Sequence, residues 1–286
     1  MKRILLFSLL FCAVVFAGMA KTLEATLKNP NDFLKLVNAL SRVECQQIDR
    51  IVLRGPMSTL DCQALRVLCG YDNTQARTRY NARFVDLSGV NFVWTNPQPY
   101  EFYIHYLQPR IVLDHRQLPD FLFRNCTIEE VILPRSIEAI GEGAFEYSDL
   151  KKIVIPRNIK RIGNYAFHRC RNLTSVMIEG DIEELGYFAI SSSDELKRLV
   201  FNRVSMMKKG DYACIIGCTA LEEIIFEGDA MFKSVIAESC PQLRNVEFKR
   251  GVNTDASLKF FVDCPKLTRI SAKPANSEKI LDFRLY

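Results

Sequence analysis

The chain has 286 residues, of which 48% are hydrophobic and 25% charged, so it can bury a large core and is neither disordered nor collagen-like. The net charge of +5 is small, and no run of five or six like charges occurs, which argues against nucleic-acid binding and a polybasic membrane patch. Ten cysteines are too dilute in this length for a miniature disulfide scaffold, and the length alone suggests about two domains.

The first twenty residues have the order of a secretory signal peptide. Two basic residues precede an apolar run over residues 4–17, and Gly18 and Ala20 occupy the −3 and −1 positions of a cleavage site. The run is shorter than the ~20 residues that a membrane-spanning helix needs. No lipobox surrounds Cys12. We therefore predict a signal peptide over residues 1–20 and a mature chain that is secreted, at the cell surface or in the periplasm.

The next segment, residues 21–118, is predicted to be an irregular N-terminal cap with early coils. Apolar spacing predicts an amphipathic helix from Pro30 to Arg42 that caps the open end of the fold. A capping-box-like start at Ser58 predicts a second helix that stops at Gly70. Three strand-like apolar patterns also occur: Ile48-x-x-Ile51-x-Leu53, Ala82-x-x-Val85-x-Leu87 and Ile111-x-Leu113.

A repeated pattern fills residues 119–286, with a segment after about Pro274 that closes the C-terminal end. Its periods of 22 to 25 residues fall within the range of leucine-rich repeats. One copy consists of Leu150-x-x-Ile153-x-Ile155-Pro156 followed by Ile159-x-x-Ile162-Gly163-x-x-Ala166-Phe167-x-x-Cys170. Other copies begin at Ile128, Leu173, Leu196, Leu221, Leu243 and Leu267.

Each position of this copy has a physical role. Alternation places Ile153 and Ile155 on one face of a short strand and Val154 on the other. Pro156 ends the strand because it lacks an N–H, and Gly163 supplies either a positive φ or room for a close approach. One such unit cannot bury its apolar face alone, so the copies must stack into a solenoid with a parallel sheet along one side.

The unit resembles the BspA-type (treponemal-type) leucine-rich repeat over roughly residues 119–273, most clearly over residues 128–190. The resemblance implies an α/β, β-rich, right-handed solenoid with a parallel β-sheet on one face and an irregular, partly helical N-terminal cap. It also implies a binding role in secreted and surface proteins, often adhesion to host proteins or other cells. It implies no catalytic residues and no cofactor.

Cysteines recur at one slot of the repeat and are predicted to be buried free thiols. Equivalent positions on adjacent coils lie ~4.8 Å apart with parallel side chains, whereas a disulfide needs converging Cβ atoms at roughly 3.5–4.5 Å. The slot holds Cys126, Cys170, Cys218, Cys240 and Cys264. The state of the remaining cysteines stays open, and a disulfide among them is compatible with an oxidising compartment: Cys45, Cys62, Cys69 and Cys214.

No motif points to catalysis or to a metal site. His105, His115 and His168 have no partner at zinc-ligand spacing, and His168 is expected to be solvated on an outer turn. Asp114 and His115 suggest half of a catalytic triad, but no Gly-x-Ser-x-Gly elbow accompanies them. We therefore predict that the protein is not an enzyme; the alternative is an unrecognised site, which a polar pocket in residues 71–118 would favour.

One face of the predicted sheet is a candidate binding surface. The outward position of five consecutive strands is apolar and a neighbouring track carries arginines, a pattern typical of an interface with an apolar centre and a charged rim. Strand propensity alone also places β-branched residues at exposed positions, so that alternative stays open. The candidate ligand-binding residues are Ile132, Val154, Met177, Val200, Ile225, Arg135, Arg157 and Arg203.

Together these patterns predict a secreted or cell-surface binding protein that recognises a protein or a glycan, as in adhesion, through its parallel-sheet face. We expect a monomer with no nucleic-acid partner, no metal and no membrane span after the signal peptide is removed. The alternative function is a structural or accessory module of a bacterial cell-envelope assembly.

Overall fold

The computed structural model describes residues 11–17, 20–72, 76–94, 114–204, 213–232, 235–250, 252–254 and 260–272. The helices in these residues are α1 (Asp32–Ala39), α2 (Arg42–Gln46) and α3 (Thr59–Leu68). The strands, in chain order, are β1 (Phe11–Ala17), β2 (Ala20–Thr26), β3 (Ile48–Met57), β4 (Phe84–Phe92), β5 (Gln117–Leu118), β6 (Glu130–Ile132), β7 (Ala139–Ile140), β8 (Lys152–Ile155), β9 (Arg161–Ile162), β10 (Phe167–His168), β11 (Ser175–Ile182), β12 (Glu184–Leu185), β13 (Ile190–Ser191), β14 (Arg198–Val204), β15 (Ile215–Ile216), β16 (Glu223–Phe226), β17 (Ala230–Phe232), β18 (Ala237–Glu238), β19 (Asn245–Phe248), β20 (Val252–Thr254), β21 (Phe261–Val262) and β22 (Arg269–Ala272).

One strand from each successive coil joins what we call the main sheet. Its first part has the order β1-β2-β3-β4-β6, and its second part has the order β8-β11-β14-β16-β19-β22, with β17 and β20 alongside β14. The Lys151 N–H donates to the Glu129 carbonyl at 2.9 Å and connects the coils of β6 and β8. Every strand pair in the described residues is parallel except β1–β2. The predicted parallel-sheet solenoid is confirmed.

Two narrower sheets form the other flanks of the coils. The second ladder has the order β5-β7-β9-β12, and the third ladder has the order β10-β13-β15-β18-β21. The coil that contains β8, β9 and β10 thus contributes one strand to each of three flanks. Side chains that point inward from all three flanks meet in one core.

That core is a single buried cluster that extends from Leu23 to Leu267. Because each coil presents the same slots, identical side chains stack on one another along the solenoid. The Phe145 and Phe167 rings are 5.2 Å apart at an angle of 4°, and the Phe226 and Phe248 rings are 4.8 Å apart. Such offset aromatic stacks add about 0.5–1.5 kcal/mol per pair beyond simple burial.

The cysteine slot is buried inside the coils, as predicted. Its thiols are free, and only Cys264 is part-exposed. In two coils the slot holds the buried residues Ser148 and Ser193 instead, so serines separate the thiols in the first half of this column. The Cys170 thiol donates to the Phe145 carbonyl at 3.0 Å, and burial raises its pKa to about 12. The four cysteines outside the slot are also free and buried: Cys45, Cys62, Cys69 and Cys214.

The first helix is confirmed but is shorter than the predicted span of 30–42. Leu40 takes an extended backbone and ends α1, and Ser41 then begins α2 with its own capping box. The helix follows β2 and packs beside α3 of the next coil, since Asp61 of α3 accepts the backbone N–H groups of Asn31 and Leu34 at 2.8 and 2.9 Å. It therefore lies along the return side of the first coil, and its role as a cap on the open end of the solenoid stays a prediction.

The second helix begins as its sequence predicts. Ser58 Oγ accepts the Asp61 N–H at 3.2 Å, and the Asp61 carboxylate accepts the Ser58 N–H at 2.9 Å. The helix ends before Gly70, whose φ of +101° is a conformation that glycine adopts at low cost. The buried Arg66 of α3 donates to the carbonyls of Phe121 and Leu122 at 2.9 and 2.8 Å, which joins the helix to the first regular turn.

Two N-terminal predictions have different outcomes. Residues 111–113 lie outside the described residues, and β4 pairs directly with β6 through Phe84 and Glu130, so no strand of the main sheet lies between them. Residues 11–17, inside the predicted signal peptide, form β1; the signal peptide itself stays a prediction. In the described part of the chain, no helix has both the length and the apolarity needed to cross a membrane.

Candidate binding surface on the main sheet

The apolar centre of the candidate surface lies on adjacent strands of the main sheet. Met177 of β11 pairs in register with Val154 of β8 on one side and with Val200 of β14 on the other. Ile132, Val154 and Met177 are 47%, 50% and 46% exposed, while Val200 is half-buried. Their immediate chain neighbours point into the core, as strand alternation requires. Three consecutive coils therefore present a large apolar side chain to solvent.

Ile225 does not belong to this surface, which corrects the predicted stripe of five residues. It pairs in register with Val200, but its side chain is only 3% exposed. Polar clusters occupy the flanking outward positions: Glu223 is bonded to Arg198 and Asn245, both at 2.9 Å, and Glu227 to Lys249 at 2.8 Å. The outward side chains before and after Ile225 in β16 and the following turn, Glu223 and Glu227, thus bond to side chains of neighbouring coils. An apolar-alternation pattern within one strand gives no information on such bonds.

The arginine track is divided between free and paired side chains. Arg203 forms an exposed ion pair with Asp181 at 3.6 Å. Arg135 and Arg157 are exposed and form no ion pair with any described residue. On the opposite edge, Lys152 pairs with Glu130 at 3.6 Å. We call the set that remains available the sheet-face patch: Ile132, Val154, Met177, Arg135 and Arg157.

The sheet-face patch is unusual for its clustering. Few large apolar side chains are exposed in the described residues. Three of them form the patch, Ile132, Val154 and Met177, and the remaining ones lie outside it: Val43, Leu60, Tyr165 and Met231. Scattered exposed apolar residues need no explanation, but contiguous ones mark interaction surfaces. Guanidinium groups at the edge add donors that pair with carboxylates of a partner.

The two described histidines, His115 and His168, lie in different surroundings, and His168 Nδ1 is 2.7 Å from Ser191 Oγ. His115 Nδ1 lies 3.1 Å from the Phe92 carbonyl and its ring stacks on Trp94, while His105 lies outside the described residues. His168 is half-buried and not solvated as expected, because its ring lies edge-on to Tyr147 and Tyr165, each at 5.7 Å. Burial, with help from Arg169 and Arg124, lowers the pKa of His168 to about 4.

The described residues contain no group of three or more His, Cys, Asp or Glu side chains that could hold a metal ion. Burial raises the pKa of the Cys126 thiol to about 11 and that of Cys218 to about 12, whereas a hydrogen bond with Cys240 lowers the pKa of the part-exposed Cys264. A reactive cysteine needs the opposite shift to that of Cys126 and Cys218.

The stacked coils, the parallel main sheet and the repeated leucine slots define a leucine-rich-repeat protein. Residues 116–235 match, in six copies, the family described as the BspA type leucine rich repeat region. Residues 116–235 are therefore BspA-type leucine-rich repeats, and the predicted repeat family is confirmed for this part of the chain.

Three crystal structures are similar to this chain. A leucine-rich repeat protein from Bacteroides ovatus has 13% identity and a TM-score of 0.38, covering 92% of this chain and 80% of that chain. A leucine rich cell surface protein from Faecalibacterium prausnitzii has 14% identity and a TM-score of 0.30, covering 93% and 87%. A leucine-rich repeat protein from Eubacterium ventriosum has 12% identity and a TM-score of 0.34, covering 90% and 77%. No curated protein matches the sequence.

Proposed function

We propose that this protein is a non-enzymatic binding protein that acts outside the bacterial cytoplasm, secreted or at the cell surface, and that the sheet-face patch contacts a protein ligand. The observation that carries the proposal is the contiguous exposure of Ile132, Val154 and Met177 beside two exposed arginines, Arg135 and Arg157. The order of residues 1–20 supports an extracytoplasmic location. An apolar centre with a charged rim favours a protein over a glycan as the ligand of this face.

The size of the expected effect follows from burial. Each of the three side chains has about half of its surface left to bury, which is worth about 1 kcal/mol apiece on contact with an apolar partner. Arginine at the edge contributes through charge-assisted hydrogen bonds, and interface energy concentrates in a few such anchors. Placing a charge in the centre of the patch removes the burial and adds a desolvation cost.

A double substitution tests this surface. The Val154→Asp/Met177→Asp variant should bind at least about tenfold more weakly than the parent protein to immobilised host extracellular-matrix extract or to parent-cell envelope extract. Val43→Asp is the matched control, because Val43 is 61% exposed on α2, away from the main sheet, and an acidic residue suits the first turn of a helix. Bound protein is quantified by surface plasmon resonance on both extracts.

Equal binding by all three proteins on both extracts contradicts a role for the sheet-face patch. The two extracts separate the two functions: saturable binding to matrix supports adhesion, whereas binding to the envelope extract alone favours an accessory module of the cell envelope. Protease accessibility of the protein on intact cells then tests its surface location.

A further inference from the structure

A second surface lies on a different flank of the solenoid, across the second ladder. There a trench of about 340 Å³ crosses β5, β7, β9 and β12 and is lined mainly by polar side chains. The repeat pattern does not single out lining residues such as Glu142 and Asn164, because the position just after the glycine of the repeat differs from copy to copy. The sequence pattern that could have indicated this surface is a glycine followed two residues later by an aromatic residue. It occurs in two successive coils: Gly163-Asn164-Tyr165 and Gly186-Tyr187-Phe188.

Glycines let the coils stack closely beneath the trench. A Cβ at Gly163 would lie 2.8 Å from the Glu142 nitrogen and from the Gly141 carbonyl carbon, and a Cβ at Gly186 would lie 2.5 Å from the Asn164 nitrogen. Coils therefore stack so closely at this column that only glycine fits. Gly141 and Gly163 line the trench together with the residues that follow them, Glu142 and Asn164.

The wall nearer the third ladder carries polar groups that are held in fixed orientations. Asp120 Oδ1 accepts the Gln117 side-chain N–H and the Glu142 backbone N–H, both at 2.8 Å. Asn164 Oδ1 accepts the Tyr187 backbone N–H at 3.0 Å. The register of the second ladder places these residues at one position of successive coils: Asp120, Glu142, Asn164 and Tyr187.

Aromatic residues lie one position beyond that polar column in the chain. Tyr165 and Phe188 stack 5.4 Å apart at an angle of 4°, and Tyr165 is 37% exposed. Both have a positive φ, as do Phe121 and Gly143 at the equivalent positions of the two preceding coils. The ring of Phe121 covers Gly143. Glycine or asparagine would adopt this backbone at the lowest cost, yet three of the four coils place an aromatic ring there.

The charge of the trench selects among ligands. Among the described residues that line it, four are carboxylates and one is a guanidinium, and Arg161 already pairs with Asp114 at 3.8 Å. An anionic ligand would therefore be repelled. Neutral hydroxyl groups, in contrast, bond well to carboxylate and amide oxygens and to amide N–H groups.

We propose that this trench binds a neutral, linear oligosaccharide along the solenoid axis. Sugar rings offer C–H faces that pack on aromatic rings and hydroxyl edges that bond to oriented polar groups, and the aromatic residues Tyr165 and Phe188 directly follow members of the polar column. The polar column repeats once per coil, at the ~4.8 Å spacing of adjacent strands. That spacing is close to the length of one pyranose unit, so each coil meets successive sugar units in a similar way.

The test measures binding of defined oligosaccharides to the purified protein by isothermal titration calorimetry. The probes are cellohexaose, maltohexaose and mannohexaose, with a heparin hexasaccharide and hexalysine for comparison. At least one neutral hexasaccharide should bind. Tyr165→Asn should weaken that binding about fivefold to tenfold, since asparagine tolerates the positive φ while it removes the ring. Glu142→Gln, which retains the shape of the wall, should weaken neutral-sugar binding less than Tyr165→Asn does.

Tyr147→Asn is the matched control, because Tyr147 also has a positive φ, 59°, and is not among the residues that line the trench. It should change the sugar affinity less than twofold, and so should Met177→Asp on the main sheet, which separates this site from the sheet-face patch. Failure of all three neutral sugars overturns the proposal, as does equal weakening by Tyr165→Asn and Tyr147→Asn. Binding of hexalysine without any sugar would instead assign the trench to a cationic peptide.

Discussion

Asp61 is fully buried, and its two carboxylate oxygens serve two helices at once. One oxygen accepts the Leu34 N–H of α1, and the other accepts N–H groups of Asn31 and Ser58. A capping box normally satisfies groups of its own helix only. Here the same residue also bonds the start of the helix in the preceding coil, so a local motif becomes a tertiary contact.

Replacing this carboxylate should therefore cost more than the loss of an ordinary cap. We expect Asp61→Ala to lower the free energy of unfolding by about 3 kcal/mol, because three backbone N–H groups lose an acceptor at a buried site. Glu44→Ala is the control, since Glu44 closes an exposed capping box with Ser41, and it should cost about 0.5 kcal/mol. Urea unfolding monitored by circular dichroism measures both, and equal costs would contradict the double role of Asp61.

At the scale of the coil, the glycines that follow β7, β9 and β12 of the second ladder share one function. The sequence left open whether Gly163 provides a positive φ or a close approach, and the structure shows the close approach. Gly217 shows the other case, since its φ is +64° and the nearest atom to an added Cβ is 3.7 Å away. Two glycines of the same solenoid thus meet different physical requirements.

Alanine substitution separates these requirements. Gly163→Ala should lower the free energy of unfolding by about 3 kcal/mol, because the new methyl group meets backbone atoms that cannot move without separating two coils. Gly217→Ala should cost only about 1 kcal/mol, the cost of a left-handed backbone for a residue with a Cβ. Thermal unfolding of the two variants provides the comparison, and a larger loss in Gly217→Ala would reverse this assignment.

The elements also show which features the sequence could predict. The inward slots were predictable because each has one apolar requirement that recurs every 22 to 25 residues, as in Ile153, Ile155 and Phe167. The burial of Ile225 was not, because its position in the repeat is the one that leaves Val154 and Met177 exposed. The environment of His168 arises from aromatic residues in other turns, Tyr147 among them. Periodicity predicts what faces the core and gives little information on what covers the surface.

At the scale of the whole molecule, every interior coil shares its core with two neighbours. The third ladder offers a matched comparison, because Phe167 and Phe261 occupy the same slot at its first and last described strands. Phe167 is fully buried and stacks on Phe145 of the preceding coil, whereas Phe261 retains 5% exposure. Stability in such a repeat array is a sum of coil terms and interface terms.

Phe167→Ala should therefore lower the free energy of unfolding by about 3–5 kcal/mol, since the cavity opens between two packed coils. Phe261→Ala should cost about 1–2 kcal/mol and should raise hydrogen exchange mainly in β18, β21 and β22. Hydrogen-exchange mass spectrometry resolves the two patterns. Uniform loss of protection along the chain in both variants would show that the solenoid unfolds as one unit.

The column of cysteines and serines sets where oxidation can cross-link the coils. Equivalent positions on strands two coils apart are separated by about 10 Å, which is too far for the sulfur atoms of parallel side chains to form a disulfide. Ser148 and Ser193 impose that distance between Cys126, Cys170 and Cys218. Only Cys218, Cys240 and Cys264 follow one another without a break. Within this column, thiols on adjacent coils therefore occur only in the C-terminal coils, and serines separate the thiols of the coils that carry the sheet-face patch and the trench.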